Sequence, residues 1–380
     1  MTEQCPDLLE LLAEIPDFRQ AQGRRHPLCA ILALSVAACL CGYRSYGAIA
    51  EWGRNYGTEL RNALGFPHRT APCAATLNTV LRGLDTEAVE RVLAQWAEGV
   101  LATLALPPEA LEAMALDGQT LRGSRRQKAP GAHLLSALGH RLGLTLGQQG
   151  EADKTNEIGA IGDILDAVVL ENRVLTLDAL LTQRDGAETI IGRGGDYVMI
   201  VKGNQPTLHE EIATLFATPA VVARTLASAA TLDLGHGRSE RRRITTSTAL
   251  CGSTAGAGMA QVFAIERVVT DKKSGNERAE IVHGVTSLAR ERAAAAQILE
   301  LVRHHWHIEN KSQWVRDVTF DEDRSQVRVG SIPQVMAALR NTAIGLMRVA
   351  GETNIAAACR RFAAQPWSAL ALIGIVRRTE

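Results

Sequence analysis

Apolar positions along the first 95 residues recur at helical spacing, and short polar breaks separate them. "CPDLLELLAEIPD" reads as a short amphipathic helix closed before Pro16. "HPLCAILALSVAACLCG" starts a second helix at Pro27 and stops it at Gly42, the usual N-terminal proline and C-terminal glycine asymmetry. "SYGAIAEWGRNYG" sets Ile49 and Trp52 on one face, and "CAATLNTVLRGLD" does the same with Leu77 and Leu81. From about residue 113 the period changes. "EAMALDGQTLRG" and "AHLLSALGHRLGLTLGQQG" predict strands, the latter turning near His140–Gly143. "NEIGAIGDILDAVVL" predicts a helix with Asn156 as N-cap and Ile158, Ile161, Leu165 and Val168 inward. "RVLTLDALLTQ" predicts a strand running into a helix, and "DYVMIVKGNQ" a strand ending in a turn.

Residues from about 216 to 290 read as mainly antiparallel strands with Gly-rich turns, a β insertion. Helix resumes as one long element over "ARERAAAAQILELVRHHWHIENKSQWVRD", then "SIPQVMAALRNTAIGLMRVAG", then a tail broken at Pro366. The resulting organisation is a helical N-terminal domain over 1–95, an α/β domain over 110–350 with a mixed sheet and helices on both faces, and a helical tail over 351–380.

Composition adds exclusions rather than a function. The 41 basic residues balance the 41 acidic ones, so no global basic field announces nucleic acid, and local clusters must carry any such argument. Six arginines of the N-terminal domain, among them Arg24, Arg54 and Arg82, fit a DNA-reading module or the solvated rim of a packing domain. Seven scattered cysteines without CxxC pairs predict reduced thiols and a cytoplasmic protein; Cys39 and Cys41 belong to a packed helix. The opening residues do not form a signal peptide, and the apolar run from Leu28 to Cys41 is too short for a bilayer, so no membrane partner is expected.

Two apolar strands end in an acid, "MALD" at Asp117 and "LTLD" at Asp178. Burying a carboxylate at a strand end is costly unless it meets a cation, although a lone acid there usually caps a helix or a turn. If the strands are neighbours, both carboxylates reach one point, which suits a hard divalent ion. A third ligand is sought in "RHHWHIENKSQWVRDVTFDEDRSQ", where Glu309 shares a helix face with His305, Trp306 and Arg316. Asp317 competes; Asp321, Glu322 and Asp323 read as a solvated acidic turn. His305 and His307 point to different sides of a helix, which disfavours a zinc site. Trp306 and Trp314 read as core residues or as platforms for an unpaired base.

The order strand-Asp, strand-Asp, β insertion, helix-Glu resembles the DDE transposases of bacterial insertion sequences. Six motifs in order ("LDGQTLRGS", "KTNEIGAIGDIL", "LTLDALLTQ", "YVMIVKGNQPTL", "HGRSERR", "HHWHIENKSQWVRDVTFDED") are similar to their H-repeat-associated branch. The N-terminal "RRHPLCAILALSVAACLCGYRSYGAIAEWG" is similar to that branch's associated domain. The resemblance implies an RNase H-like catalytic domain that cuts and joins DNA at element ends. It places the catalytic and metal-binding roles on Asp117, Asp178 and Glu309, with two Mg²⁺ ions, or Mn²⁺, as cofactors. DNA is the implied partner, both as terminal inverted repeats and as target, bound by a homodimer and associated with the nucleoid. Arg122, Arg125, Arg126, Lys202, Arg238, Arg241, Arg242, His305, Trp306 and Arg316 are the candidate DNA contacts. The broader signature Y-x2-R-x3-E-x6-K reads Val302, His305, Glu309 and Arg316 here, so its tyrosine is lost and its two cations are altered. An RNase H-like nuclease without strand transfer and an inactive DNA-binding remnant are the alternatives.

Overall fold

The N-terminal helices begin where short polar side chains satisfy the first free backbone N–H groups. Asp7 accepts from Leu9 N at 2.8 Å to open α1 (Leu8–Ala13), and Ser45 accepts from Ala48 N at 3.1 Å to open α3 (Tyr46–Asn55). Asp85 accepts from Glu87 N and Ala88 N to open α6 (Thr86–Thr103). Between them lie α2 (Leu28–Leu40), α4 (Thr58–Ala63) and α5 (Ala74–Gly83). Because α2 is apolar on nearly every side, it is buried on nearly every side, and Cys39 within it and Cys41 at its C-terminal end are buried too. Ile49, Trp52, Leu77 and Leu81 are buried on the faces that the spacing predicted.

The structure, a computed structural model, describes residues 6–67, 70–104, 106, 110–125, 131–151, 157–218, 223–235, 237–251 and 257–377. The expected N-cap Asn156 and the candidate contact Arg126 lie outside these residues. Among the described residues no helix is long and apolar enough to cross a membrane. The described cysteines are all free thiols.

The fold is mixed α/β with a helical N-terminal region, and the chain divides into two compact units. The first contains the described residues of Met1–Ala110, Gly118–Val168 and His307–Glu380. Its hairpin of β2 (His133–Gly139) and β3 (Thr145–Glu151) is followed by α7 (Glu157–Ala167). Helix α11 (Ile332–Val349) packs on α2 and α6, and α12 (Ile355–Ala364) and α13 (Pro366–Leu372) close the chain. The proline expected to interrupt the tail starts α13, where its missing N–H costs nothing.

The second unit contains Leu111–Asp117 and Val169–Trp306. The first part of β1 (Glu112–Thr120) pairs in parallel with β4 (Arg173–Leu177), and β4 pairs in parallel with β5 (Asp196–Val201). Next come β9 (Glu277–Thr286), β8 (Gln261–Asp271), β7 (Arg238–Ser247) and β6 (Leu226–Gly235), every pair antiparallel. The β insertion therefore extends the sheet from β5, through Val198↔Thr286 to Val201↔His283. Val174, Val198, Ile244 and Phe263 form a core with Ile298 and Leu299 of α10 (Ala295–His305).

Two elements differ from expectation. After Asp178 the chain makes one short 3-10 turn, Ala179–Leu181, and α8 starts only at Arg184 (Arg184–Gly192). The single long helix expected over 289–317 is α-helical only as α10; beyond it the backbone is π-helical at Ile308–Gln313 and at Val315–Thr319. A π segment widens the turn and moves side chains off the α-helical faces, so face assignments made at spacings of three, four and seven fail there.

Candidate active site

Strand register sets the geometry of the two aspartates. Leu116 of β1 pairs with Leu177 of β4 in parallel strands, so Asp117 and Asp178, one residue further on, leave the same end of the sheet side by side. Each is half-buried: Asp178 directly follows β4, and Asp117 stands just past the β1–β4 pairing, with β1 running on to Thr120. Beneath them lies His305, whose Nδ1 is 3.0 Å from Thr176 Oγ1, one residue pair down the strand from Asp178. Thr176 Oγ1 also donates to the Met114 carbonyl at 3.3 Å, tying β4 to β1 just before the acids. Burial holds the His305 imidazole below its ordinary pKa, and the charges of Asp117 and Asp178 offset only part of this.

The turn after Asp178 is held by the residues that follow β5. Asn204 Nδ2 donates to the Ala179 carbonyl and Gln205 Nε2 to the Thr182 carbonyl, both at 2.6 Å. Thr182 Oγ1 reaches the carbonyls of Asp178 at 3.1 Å and Ile200 at 2.9 Å. Lys202 Nζ lies 3.4 Å from Asp178 Oδ1. Sequence reasoning found Lys202 but missed Asn204, Gln205 and Thr176. The "KGNQ" turn after an apolar strand was the available signal for the first two.

In the first unit, Glu309 is exposed on the π-helical segment Ile308–Gln313. Gln119 of the "LDGQ" motif donates to Asp317 Oδ2 at 3.1 Å and accepts from Arg316. Burial, with Asp323 and Glu322 nearby, pushes Asp317 up to about 6. Gly118 lies under the buried His133 ring, and a Cβ there would come within 2.6 Å of its Nε2. The ring is pinned in turn, with Nδ1 3.0 Å from Thr120 Oγ1. Glycine beside Asp117 is thus a steric requirement of this packing.

Several candidate DNA contacts are buried or already paired. His305 is 6% exposed, because it continues the apolar face of α10 through Ile298 and Leu301, and it packs against β4 through Thr176. Arg316 is 1% exposed, with Nε 3.4 Å from Glu322 Oε2. Glu322, expected in a solvated turn, is itself buried between Arg316 and Arg340. Arg242 is engaged by Asp233 at 2.5 Å and Glu240 at 2.7 Å, on the opposite sheet face from Arg241. Arg122, Arg125, Lys202, Arg238 and Arg241 are exposed. Trp306 and Trp314, 48% and 57% exposed, are surface residues rather than core.

Among the described residues no group of three or more His, Cys, Asp or Glu side chains is gathered to hold a metal ion. The two adjacent aspartates supply hard oxygen donors of the kind Mg²⁺ and Mn²⁺ take, and so fit part of such a site.

Two aspartates set side by side by adjacent parallel strands of a mixed α/β sheet can offer oxygen donors to a divalent ion, and comparison with known proteins identifies the family. Residues 109–346 match the model of the transposase DDE domain, and residues 9–97 match its associated N-terminal domain. The chain belongs to the DDE transposase family. It is 29% identical over 346 residues to "Putative transposase YncI" of Escherichia coli O157:H7, covering 90% of this chain and 87% of that one. It is 27% identical over 351 residues to "H repeat-associated putative transposase YhhI" of Escherichia coli K12, covering 90% of each. A solved piggyBac transposase synaptic complex with hairpin DNA aligns over 95% of this chain and 76% of that chain, at a TM-score of 0.42 and 11% identity.

Proposed function

We propose that this chain is a divalent-metal-dependent transposase that cleaves DNA at the ends of an insertion sequence and joins the 3′ ends to target DNA. The observation that supports the reading is the Leu116↔Leu177 register, which sets Asp117 and Asp178 next in line on neighbouring parallel strands. Family membership supplies the context, and Glu309, placed by the resemblance, is the third carboxylate of the reading. The catalytic domain is read as RNase H-like. Asp117, Asp178 and Glu309 would hold two Mg²⁺ ions, or Mn²⁺, which when bound lower the pKa of a water or a DNA 3′-OH and neutralise phosphate charge. The protein's own work is orientation. Thr176 and His305 brace the strand behind Asp178, while Asn204, Gln205 and Thr182 hold the turn in front of it. Arg122, Arg125, Lys202, Arg238 and Arg241 supply phosphate contacts, and Trp306 a surface on which a displaced base can stack. Two DNA ends handled together call for a homodimer.

The test is incubation with DNA carrying the flanking inverted repeats and Mg²⁺ or Mn²⁺, scoring nicks and joined products separately. Asp117→Asn, Asp178→Asn and Glu309→Gln are each expected to lower cleavage by roughly 10³-fold while DNA binding persists. Wild-type cleavage by the triple variant contradicts the assignment. Nicks without joined products would make the protein a nuclease instead.

A further inference from the structure

Helix α9 (Pro206–Ala217) and strand β9, both in the second unit, bring two imidazoles face to face. His209 Nε2 lies 3.2 Å from His283 Nδ1, with ring centroids 4.9 Å apart and planes at 70°. Both rings are half-buried. Burial, with His209 beside it, holds His283 below its ordinary pKa.

This spacing has a second chemical meaning besides a hydrogen bond. Two imidazole nitrogens bound to one tetrahedral ion at about 2.05 Å each sit about 3.3 Å apart. The observed separation matches the span of two such ligands; because the ion sits off the N···N line, each ring turns to aim its lone pair at it on binding. Nitrogen donors select borderline ions such as Zn²⁺, Ni²⁺ and Cu²⁺ over Mg²⁺, which prefers oxygen. No third His, Cys, Asp or Glu joins the pair among the described residues, so the remaining positions fall to water.

We infer that His209 and His283 form a two-histidine site for a divalent transition-metal ion, separate in chemistry from the carboxylates at the strand ends. Bound there, the ion clips α9 onto β9. Because α9 follows directly on the Lys202–Gln205 turn, the clip also steadies the segment that holds the loop of Asp178.

The experiment is calorimetric titration of the tag-free full chain with Zn²⁺ in millimolar Mg²⁺, which fills the oxygen sites. Wild type is expected to take up one Zn²⁺ per chain and to gain several degrees in thermal midpoint. His209→Gln and His283→Gln are each expected to weaken that uptake at least tenfold and to abolish the thermal gain, with unchanged circular dichroism. Uptake that survives in both variants, as it would if His304 or His307 were the ligand, overturns the inference; so does a wild type that takes up none. Should His283→Gln misfold, His209→Gln decides alone, since its side chain lies at the helix surface.

Discussion

Lys202, Asn204 and Gln205 follow β5 in sequence, yet each acts on the turn that begins with Asp178. On the proposed reading, in which Asp178 holds a cation, such restraint matters, because small displacements of reacting groups weaken positioning disproportionately. Asn204→Ala removes one backbone tether, worth about 1 kcal/mol, and is expected to slow cleavage roughly fivefold with DNA affinity unchanged. Single-turnover cleavage beside a binding titration measures both; an unchanged rate would show that the tether is idle. The two aspartates were legible in the sequence because an apolar run ending in an acid is a local signal. Burial of His305 and Arg316 was not legible, because it depends on which face of α10 meets β4 and on Glu322 and Arg340 lying inside the first unit.

Strand β9 shows how little room one element leaves at its join with the next. A Cβ on Gly284 would overlap the Phe263 ring and come within 2.6 Å of the Met199 carbonyl oxygen, on the β5 side of the join. Gly284→Ala is therefore expected to destabilise the second unit by about 1–3 kcal/mol, read as a lower denaturant midpoint. A midpoint equal to wild type would mean that the sheet can part there without cost. At this scale, strand existence and the antiparallel character of the insertion were readable from alternation and turn residues. Continuity of the insertion with β5 was not, since pairing between strands some 80 residues apart leaves no local mark. Nor was the π-helical backbone after His305, because side-chain periodicity over a few residues does not separate an α turn from a wider one.

Across the whole molecule, the first unit is assembled from segments far apart in the chain, and a buried polar network records this. Glu90 Oε1 of α6 accepts from Gln148 of β3 at 2.7 Å and from Gln334 of α11 at 2.9 Å, and Gln148 in turn accepts from Asn341 at 2.9 Å. Beside it lies a cavity of about 20 Å³, room for a single water. Burial pushes Glu90 up to about 7, against the two hydrogen bonds that favour its charged form. The folded-state pKa lies above the unfolded one, so the charged form is penalised on folding. The penalty is absent below about pH 4.5, grows as pH rises, and is complete above about 7, where it reaches about 3 kcal/mol. Glu90→Gln is expected to flatten this part of the stability–pH curve between pH 5 and 8 in chemical denaturation. Parallel curves for the two proteins would remove Glu90 from the account. In the sequence Glu90 is one more acid on an amphipathic helix, and nothing local announces partners 58 and 244 residues away.

The central proposal, taken from the family resemblance, is that Glu309 acts on the same metal ions as Asp117 and Asp178. Substituting Fe²⁺ for Mg²⁺ and adding ascorbate with peroxide generates hydroxyl radicals at the bound ion, which cut the polypeptide within a few ångströms of it. The account predicts three clusters of cuts, near residues 117, 178 and 309, all suppressed by excess Mg²⁺. Cuts near 117 and 178 with the chain around 309 intact would contradict it.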